Sequence, residues 1–153
     1  LLLPSDLDLV VSPFREREGV ESVSLLSPLE GEADFINPSI VKAVCDKHGS
    51  IMLYSRAPIP YVQKEGQGPV YRETGIRAFQ ADFLQTYVNL PETPFECIEA
   101  VDMMRLREHG HQVVGVVTDG ITLGVDHLEE VKRIERELRE NSVQRKLHQA
   151  IAG

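Results

Sequence analysis

After Pro4 the apolar residues Leu7, Val10, Val11 and Phe14 recur at helical spacing, with Asp6 and Asp8 in the first turn and Arg15 and Arg17 near the end. That arrangement predicts an amphipathic helix whose charges complement its dipole. Pro13 is expected to kink or shorten it and Gly19 to stop it. From Glu21 to Leu29 the period drops to two: Val23 and Leu25 face one way and Ser22 and Ser24 the other, as in a half-buried strand. A polar loop over 30–38 follows. Val41 to Cys45 and Ile51 to Tyr54 are two short apolar runs joined by Asp46-Lys47-His48-Gly49-Ser50, a hairpin pattern with glycine in its loop. The stretch 57–70, rich in Pro, Gly and Gln, is expected to be an exposed loop. Tyr71 to Gln80 reads as a strand interrupted by Gly75, where missing side-chain bulk lets a ligand or another backbone come close. Ala81 to Leu90 reads as a short helix with Phe83, Leu84, Tyr87 and Val88 inward.

Thr93-Pro94-Phe95-Glu96 is the clearest local signal in the chain. A capping threonine, proline at the first helical position and glutamate three residues after the cap start a helix. That helix is expected to run to about His109 and end at Gly110. Gln112 to Val117 is a buried-strand pattern, 118–122 a loop, and Gly124-Val125-Asp126 leads into a long helix with Leu128, Val131, Ile134 and Leu138 as its inner stripe. Glu129 with Arg133, and Glu135 with Arg139, are spaced for pairing on its outer face. The tail 141–153 continues helically but polar. No internal repeat is apparent. Strands alternating with helices give an α/β fold, and the consecutive short strands near the middle give it an antiparallel hairpin insertion.

Composition narrows the functional classes. With 153 residues, 42% hydrophobic and 26% charged, the chain supports one ordinary core and hence a single domain over 1–153. Its net charge of −8 argues against a general nucleic-acid or anionic-membrane binder, and leaves room for a local cationic site. No apolar run reaches the length of a membrane span. Cys45 and Cys97 lie far apart without metal-ligand spacing, so two reduced thiols and a cytoplasmic location are expected rather than a disulfide framework. The chain opens on Leu1, inside an apolar run and without methionine, and reads like the middle of a longer protein.

Two positions stand out chemically. Ile51 to Tyr54 deliver Arg56 into a turn stiffened by Pro58 and Pro60, and a guanidinium at a strand's end suits a planar acid because its fork grips two oxygens at once. A surface ion pair is the plainer alternative. Asp126 follows a glycine at a strand's end and precedes a helix, where α/β sheets gather ligand-binding groups. Its oxygens suit a magnesium site completed by waters and substrate phosphates, or a helix cap partnered by Glu129. The five histidines form no metal pattern, and His127 beside Asp126 reads as a first-turn surface residue. Ser55 has no nameable base that would make it a nucleophile. Met103 and Met104 read as core, and no phosphate-cradling glycine loop is present.

The run from Tyr54 to Tyr61 (Tyr-Ser-Arg-Ala-Pro-Ile-Pro-Tyr), then Gly75-Ile76-Arg77-Ala78-Phe79 leading into Phe83-Leu84, the segment Glu99 to Arg105, and Gly124-Val125-Asp126 resemble the second half of the 3-deoxy-manno-octulosonate cytidylyltransferase family, the CMP-Kdo synthetases. Asn37-Pro38 followed by Val41-Lys42-Ala43-Val44 matches the segment just upstream. The resemblance covers nearly the whole chain in the family's order. It implies a nucleotide-diphospho-sugar transferase-like mixed sheet and an enzyme of lipopolysaccharide precursor synthesis, in which the anomeric hydroxyl of an acidic sugar attacks the α-phosphate of CTP. It further implies magnesium held in part by Asp126, a homodimer joined through the hairpin region, and a C-terminal portion that lacks the nucleotide-binding part and is inactive alone.

At the matched positions Glu73 stands where the family usually has histidine, Arg77 replaces a tyrosine, and Asp102-Met103 replace a glutamate-glutamine pair. After Asp126 the family's threonine-proline-glutamate-aspartate becomes His127-Leu128-Glu129-Glu130. The resemblance assigns Arg56 to the sugar carboxylate and Asp126 to the metal, with Ser55, Glu73, Gly75 and Asp102 as further substrate contacts. The changed polar partners open the choice of sugar acid to Kdo, a related 3-deoxy-octulosonate or an amino analogue. The alternative from another class is a non-catalytic binding or assembly module that retains the sheet without nucleotide-binding capacity.

Overall fold

The computed structural model describes residues 2–64, 68–119 and 128–152. A five-stranded mixed sheet forms the centre, built from β1 (Ser22–Ser27), β2 (Lys42–Cys45), β3 (Ile51–Ser55), β4 (Val70–Phe79) and β5 (Val114–Val117) in the spatial order β3-β2-β4-β1-β5. Only β1 and β5 run parallel; the β2–β3 hairpin and both partners of β4 are antiparallel. Helices α1 (Pro4–Val11) and α2 (Pro13–Glu16) precede the sheet, and α3 (Glu32–Ile36), α4 (Ala81–Asn89), α5 (Pro94–Glu99) and α6 (Met104–Glu108) are inserted between its strands. Helices α7 (Leu128–Glu140) and α8 (Ser142–Ala152) close the chain and pack on each other.

The sheet is covered on both faces, which changes how its strands are buried. One face packs Val23 and Leu25 against Val10 and Val20; the other packs Leu26, Ala43 and Tyr54 against Phe83, Met103, Met104 and Leu106. Every residue of β1 is therefore buried, where alternation alone predicts one solvated face. The serines tolerate this because their hydroxyls are paired: Ser22 Oγ donates to the Gln112 carbonyl at 3.0 Å and Ser24 Oγ shares a 2.9 Å bond with Tyr54 Oη.

Several expected elements are corrected. Pro13 shortens the first helix, as expected, and also starts a second short one. Leu7 and Val11 are exposed, while Asp6 is buried beside Val10, where it accepts the Thr118 hydroxyl at 2.6 Å and the Leu3 N–H at 2.8 Å. The polar stretch 30–38 contains α3. On α4 Phe83 faces inward, but Leu84 and Val88 are exposed. Strand β5 is half-buried rather than fully buried, since it lies at the sheet's edge. The helix expected over 94–109 is two helices, because Ala100 adopts a left-handed conformation (φ 51°, ψ 50°) at the end of α5. The expectations for Gly124-Val125-Asp126 and His127 lie outside the described residues. Of the two ion pairs expected on α7, Glu135 and Arg139 meet at 3.4 Å. No helix of the described residues is long and apolar enough to cross a membrane.

Gly75 has a distinct consequence. The pairing of β1 with β4 passes from Ser24↔Arg77 directly to Leu26↔Glu73, so three residues of β4 bulge opposite one of β1. Gly75 supplies the positive φ of 80° that this requires, and Thr74 Oγ1 closes the bulge on the Leu25 carbonyl at 2.7 Å. A Cβ at Gly75 would meet no protein atom within 4 Å. The need for glycine among the described residues is thus conformational and not one of space.

Candidate functional site

The exit of β3 is locked to the end of α5. Ser55 Oγ donates to Glu99 Oε1 at 2.6 Å and the Arg56 N–H to Glu99 Oε2 at 2.9 Å, so one carboxylate bridges both residues. The Ala57 N–H donates back to Ser55 Oγ at 3.0 Å. The Arg56 side chain returns the grip: Nε donates to the Glu99 carbonyl at 2.8 Å, Nη2 to the Ala100 carbonyl at 3.3 Å and Nη1 to the Pro38 carbonyl at 3.1 Å. Three of its five N–H donors therefore hold backbone. This explains the left-handed Ala100, a conformation that costs a non-glycine residue about 1–2 kcal/mol: the guanidinium fixes the carbonyls of the two peptides that flank Ala100.

Beneath this turn lies Lys42, fully buried. Its Nζ donates to the carbonyls of Asn37 at 2.9 Å, Ile40 at 2.7 Å and Arg56 at 2.6 Å, which uses all three ammonium donors. Burial holds its pKa below the ordinary lysine value, with the Glu99 carboxylate opposing and Arg56 adding to the depression. Burial pushes the Glu99 carboxyl up, but the Ser55 hydroxyl, the Arg56 N–H and the charges of Arg56 and Lys42 outweigh it and hold the group below the usual glutamate range. Glu99 is an ionised acceptor at neutral pH.

The second cluster grows from the β4 bulge. Residues four apart in a regular strand are separated by about 13 Å, yet the bulge brings Arg77 Nε to 3.2 Å from Glu73 Oε1. Arg77 Nη1 donates to Asp102 Oδ2 at 2.5 Å, from the turn between α5 and α6. Asp102 Oδ1 takes the Met103 N–H at 3.0 Å, and the Tyr87 hydroxyl lies 3.4 Å from Oδ2. Tyr87 itself stacks on Phe79 with ring centroids 5.2 Å apart, and the Arg105 guanidinium sits 5.5 Å from its centroid. Burial pushes the Glu73 carboxyl above the usual range, and the Arg77 charge and its hydrogen bond only partly offset this.

The residues expected at a site fall into two groups that meet on one turn. Ser55 and Arg56 join Glu99, while Glu73 and Asp102 join through Arg77, and Glu99 and Asp102 are three residues apart. Gly75 makes the bulge that holds Glu73 beside Arg77. Asp126 lies outside the described residues, and no three His, Cys, Asp or Glu side chains converge on a possible cation among those described. Both cysteines are free, Cys45 buried and Cys97 exposed. Sequence reasoning missed three polar residues. Lys42 carried a signal, a lone lysine inside the apolar run Val41 to Val44, whereas Glu99 reaches Ser55 and Arg56, and Arg77 reaches Asp102, across chain segments distant in sequence.

The mixed sheet with its hairpin insertion has a nucleotide-sugar transferase-like fold. The fold matches the solved structure of CMP:2-keto-3-deoxy-manno-octonic acid synthetase complexed with CTP, with a TM-score of 0.82 at 24% identity, covering 91% of this chain and 57% of that one. A family model described as Cytidylyltransferase matches residues 1–117, and the chain belongs to that family of nucleotidyltransferases. It is similar to the 3-deoxy-manno-octulosonate cytidylyltransferase of Acaryochloris marina, 40% identical over 110 residues that cover 72% of this chain and 45% of that protein. The enzyme of the same name from Syntrophotalea carbinolica is 33% identical over 148 residues, which cover 91% of this chain and 59% of the relative. The chain thus spans about half the length of the curated relatives it matches.

Proposed function

We propose that this chain carries the acidic-sugar-binding part of a cytidylyltransferase that couples CTP to Kdo or a related 3-deoxy-octulosonate, releasing pyrophosphate. The observation that supports it best is the Ser55–Arg56–Glu99 join: a guanidinium fixed by three carbonyls keeps two N–H donors for a ligand, and a pre-oriented fork suits a carboxylate. In this reading Arg56 binds the sugar carboxylate, Ser55 and Gly75 shape its surroundings, and Glu73 and Asp102 accept sugar hydroxyls. Asp126 would help hold magnesium, which when bound neutralises the phosphates of CTP.

The reading assigns turnover to the longer protein, with the 153-residue chain inactive alone. It is a cytoplasmic homodimer here, joined through the β2–β3 hairpin; β3 lies at the edge of the sheet with Met52 and Leu53 exposed, which supports that face as the interface. The decisive experiment is pyrophosphate release from CTP by the full-length protein with magnesium and 3-deoxy-manno-octulosonate. Release that depends on the sugar acid is the expected result. A folded full-length protein that releases none with any 3-deoxy-octulosonate would favour the binding or assembly module instead.

A further inference from the structure

We propose that Arg77 is a specificity-determining residue of this site: its Nη2 takes an oxygen of the acidic sugar while its other two nitrogens hold Glu73 and Asp102 as acceptors for sugar hydroxyls. The inference rests on the cytidylyltransferase reading above.

Donor accounting comes first. Arg77 gives Nε to Glu73 and Nη1 to Asp102, and Nη2 has no partner among the described residues although the side chain is only 21% exposed. A guanidinium clamped on two sides with one edge open is oriented before a ligand arrives. Placement adds to this, because a bulge with a left-handed glycine is needed to fold residues 73 and 77 together, and bulges of this kind re-aim side chains next to sites. Charge completes it. Two carboxylates around one guanidinium leave a net single negative charge beside the Phe79–Tyr87 stack. Acceptors, one open donor edge and an aromatic wall form an array suited to a polyhydroxylated ligand.

Arg77 also governs protonation. Glu73 faces Arg77 on its own strand, Asp102 on the α5–α6 turn and Tyr54 on β3, with Tyr87 of α4 next to Asp102 and Arg105 of α6 over the Tyr87 ring. The Glu73 side chain is 8% exposed, so without the guanidinium its carboxyl takes up a proton and ceases to be a pure acceptor.

The test uses the full-length protein, magnesium, CTP and 3-deoxy-manno-octulosonate. In Arg77→Gln the KM for the sugar acid rises about tenfold or more with the KM for CTP unchanged. That sugar KM depends on pH more strongly than in the wild type, falling as pH rises, because Glu73 loses the charge that opposes its protonation. Arg77→Lys, which keeps the charge and loses the fork, raises the sugar KM with a pH dependence like that of the wild type, and it carries the comparison if Arg77→Gln does not fold. A folded variant with both KM values unchanged, or both raised equally, overturns the proposal. No pyrophosphate release from the wild type with any sugar acid would sink the reaction itself. Calorimetric titration with the sugar acid alone then decides Arg77: weaker binding to Arg77→Gln supports the role, and equal or absent binding to both proteins rejects it.

Discussion

Arg56 and Arg77 grip the same turn from opposite sides, and they do it with different chemistry. Arg56 donates to the neutral carbonyls of Pro38, Glu99 and Ala100, a set of contacts that no change of pH removes. Arg77 donates to the carboxylates of Glu73 and Asp102, and burial pushes the Glu73 carboxyl above the usual range. The first arginine therefore fixes where the turn sits, and the second fixes the charge that the turn and the β4 bulge present. In the proposed reading an acidic-sugar site uses both, one to place a carboxylate and the other to tell hydroxyls apart.

The comparison can be broken at each side in turn. The largest expected effect leaves both arginines intact: Asp126→Asn in the full-length protein should cut turnover by about a hundredfold or more with an unchanged unfolding curve, and activity that survives would make Asp126 a helix cap only. Next comes Lys42→Met, which strips the carbonyls of Asn37, Ile40 and Arg56 of their buried donor; urea unfolding should show a loss of about 3 kcal/mol or more, and a smaller one would mean that the Arg56 turn does not depend on Lys42. Gly75→Ala strains the bulge at a φ of 80° while meeting no neighbour. It should cost about 1–2 kcal/mol and weaken sugar binding through Glu73 and Arg77 while leaving the Arg56 contacts unchanged.

The smallest effect is that of Glu99→Gln, about 1 kcal/mol at neutral pH. Its sign with pH is fixed. The folded Glu99 carboxyl lies below its ordinary value of 4.5, so its contribution is present above that value and is lost as pH falls through the lower folded one. Unfolding measured from pH 7 downward should therefore show a shallower acid loss in the variant than in the wild type. Identical acid profiles would mean that Glu99 is not held ionised by Ser55 and Arg56.

The strands and the β2–β3 hairpin were legible because hydrophobic periodicity is local, and so was the start of α5, where Thr93, Pro94 and Glu96 carry the signal in four residues. Glu96 accepts the Thr93 N–H at 3.3 Å. Its end was not legible. Alanine favours helix, and nothing near Ala100 in sequence announces that Arg56, just past the end of β3, pulls it into a left-handed turn. The same holds for the candidate site. Arg56 was visible from the prolines that follow it and from the family resemblance, and Lys42 could have been suspected inside its apolar run. The bridging by Glu99 and the pinching of Glu73 against Arg77 depend on tertiary contacts and on a bulge. Gly75 marked the bulge's position without revealing what it brings together.

The kinetics of Arg56→Lys in the full-length protein test the account at its centre. Lysine keeps the charge but cannot hold three carbonyls and a carboxylate in one plane. The KM for the sugar acid should therefore rise about tenfold or more, with the KM for CTP nearly unchanged. An equal rise in both would contradict the assignment of this turn to the sugar carboxylate.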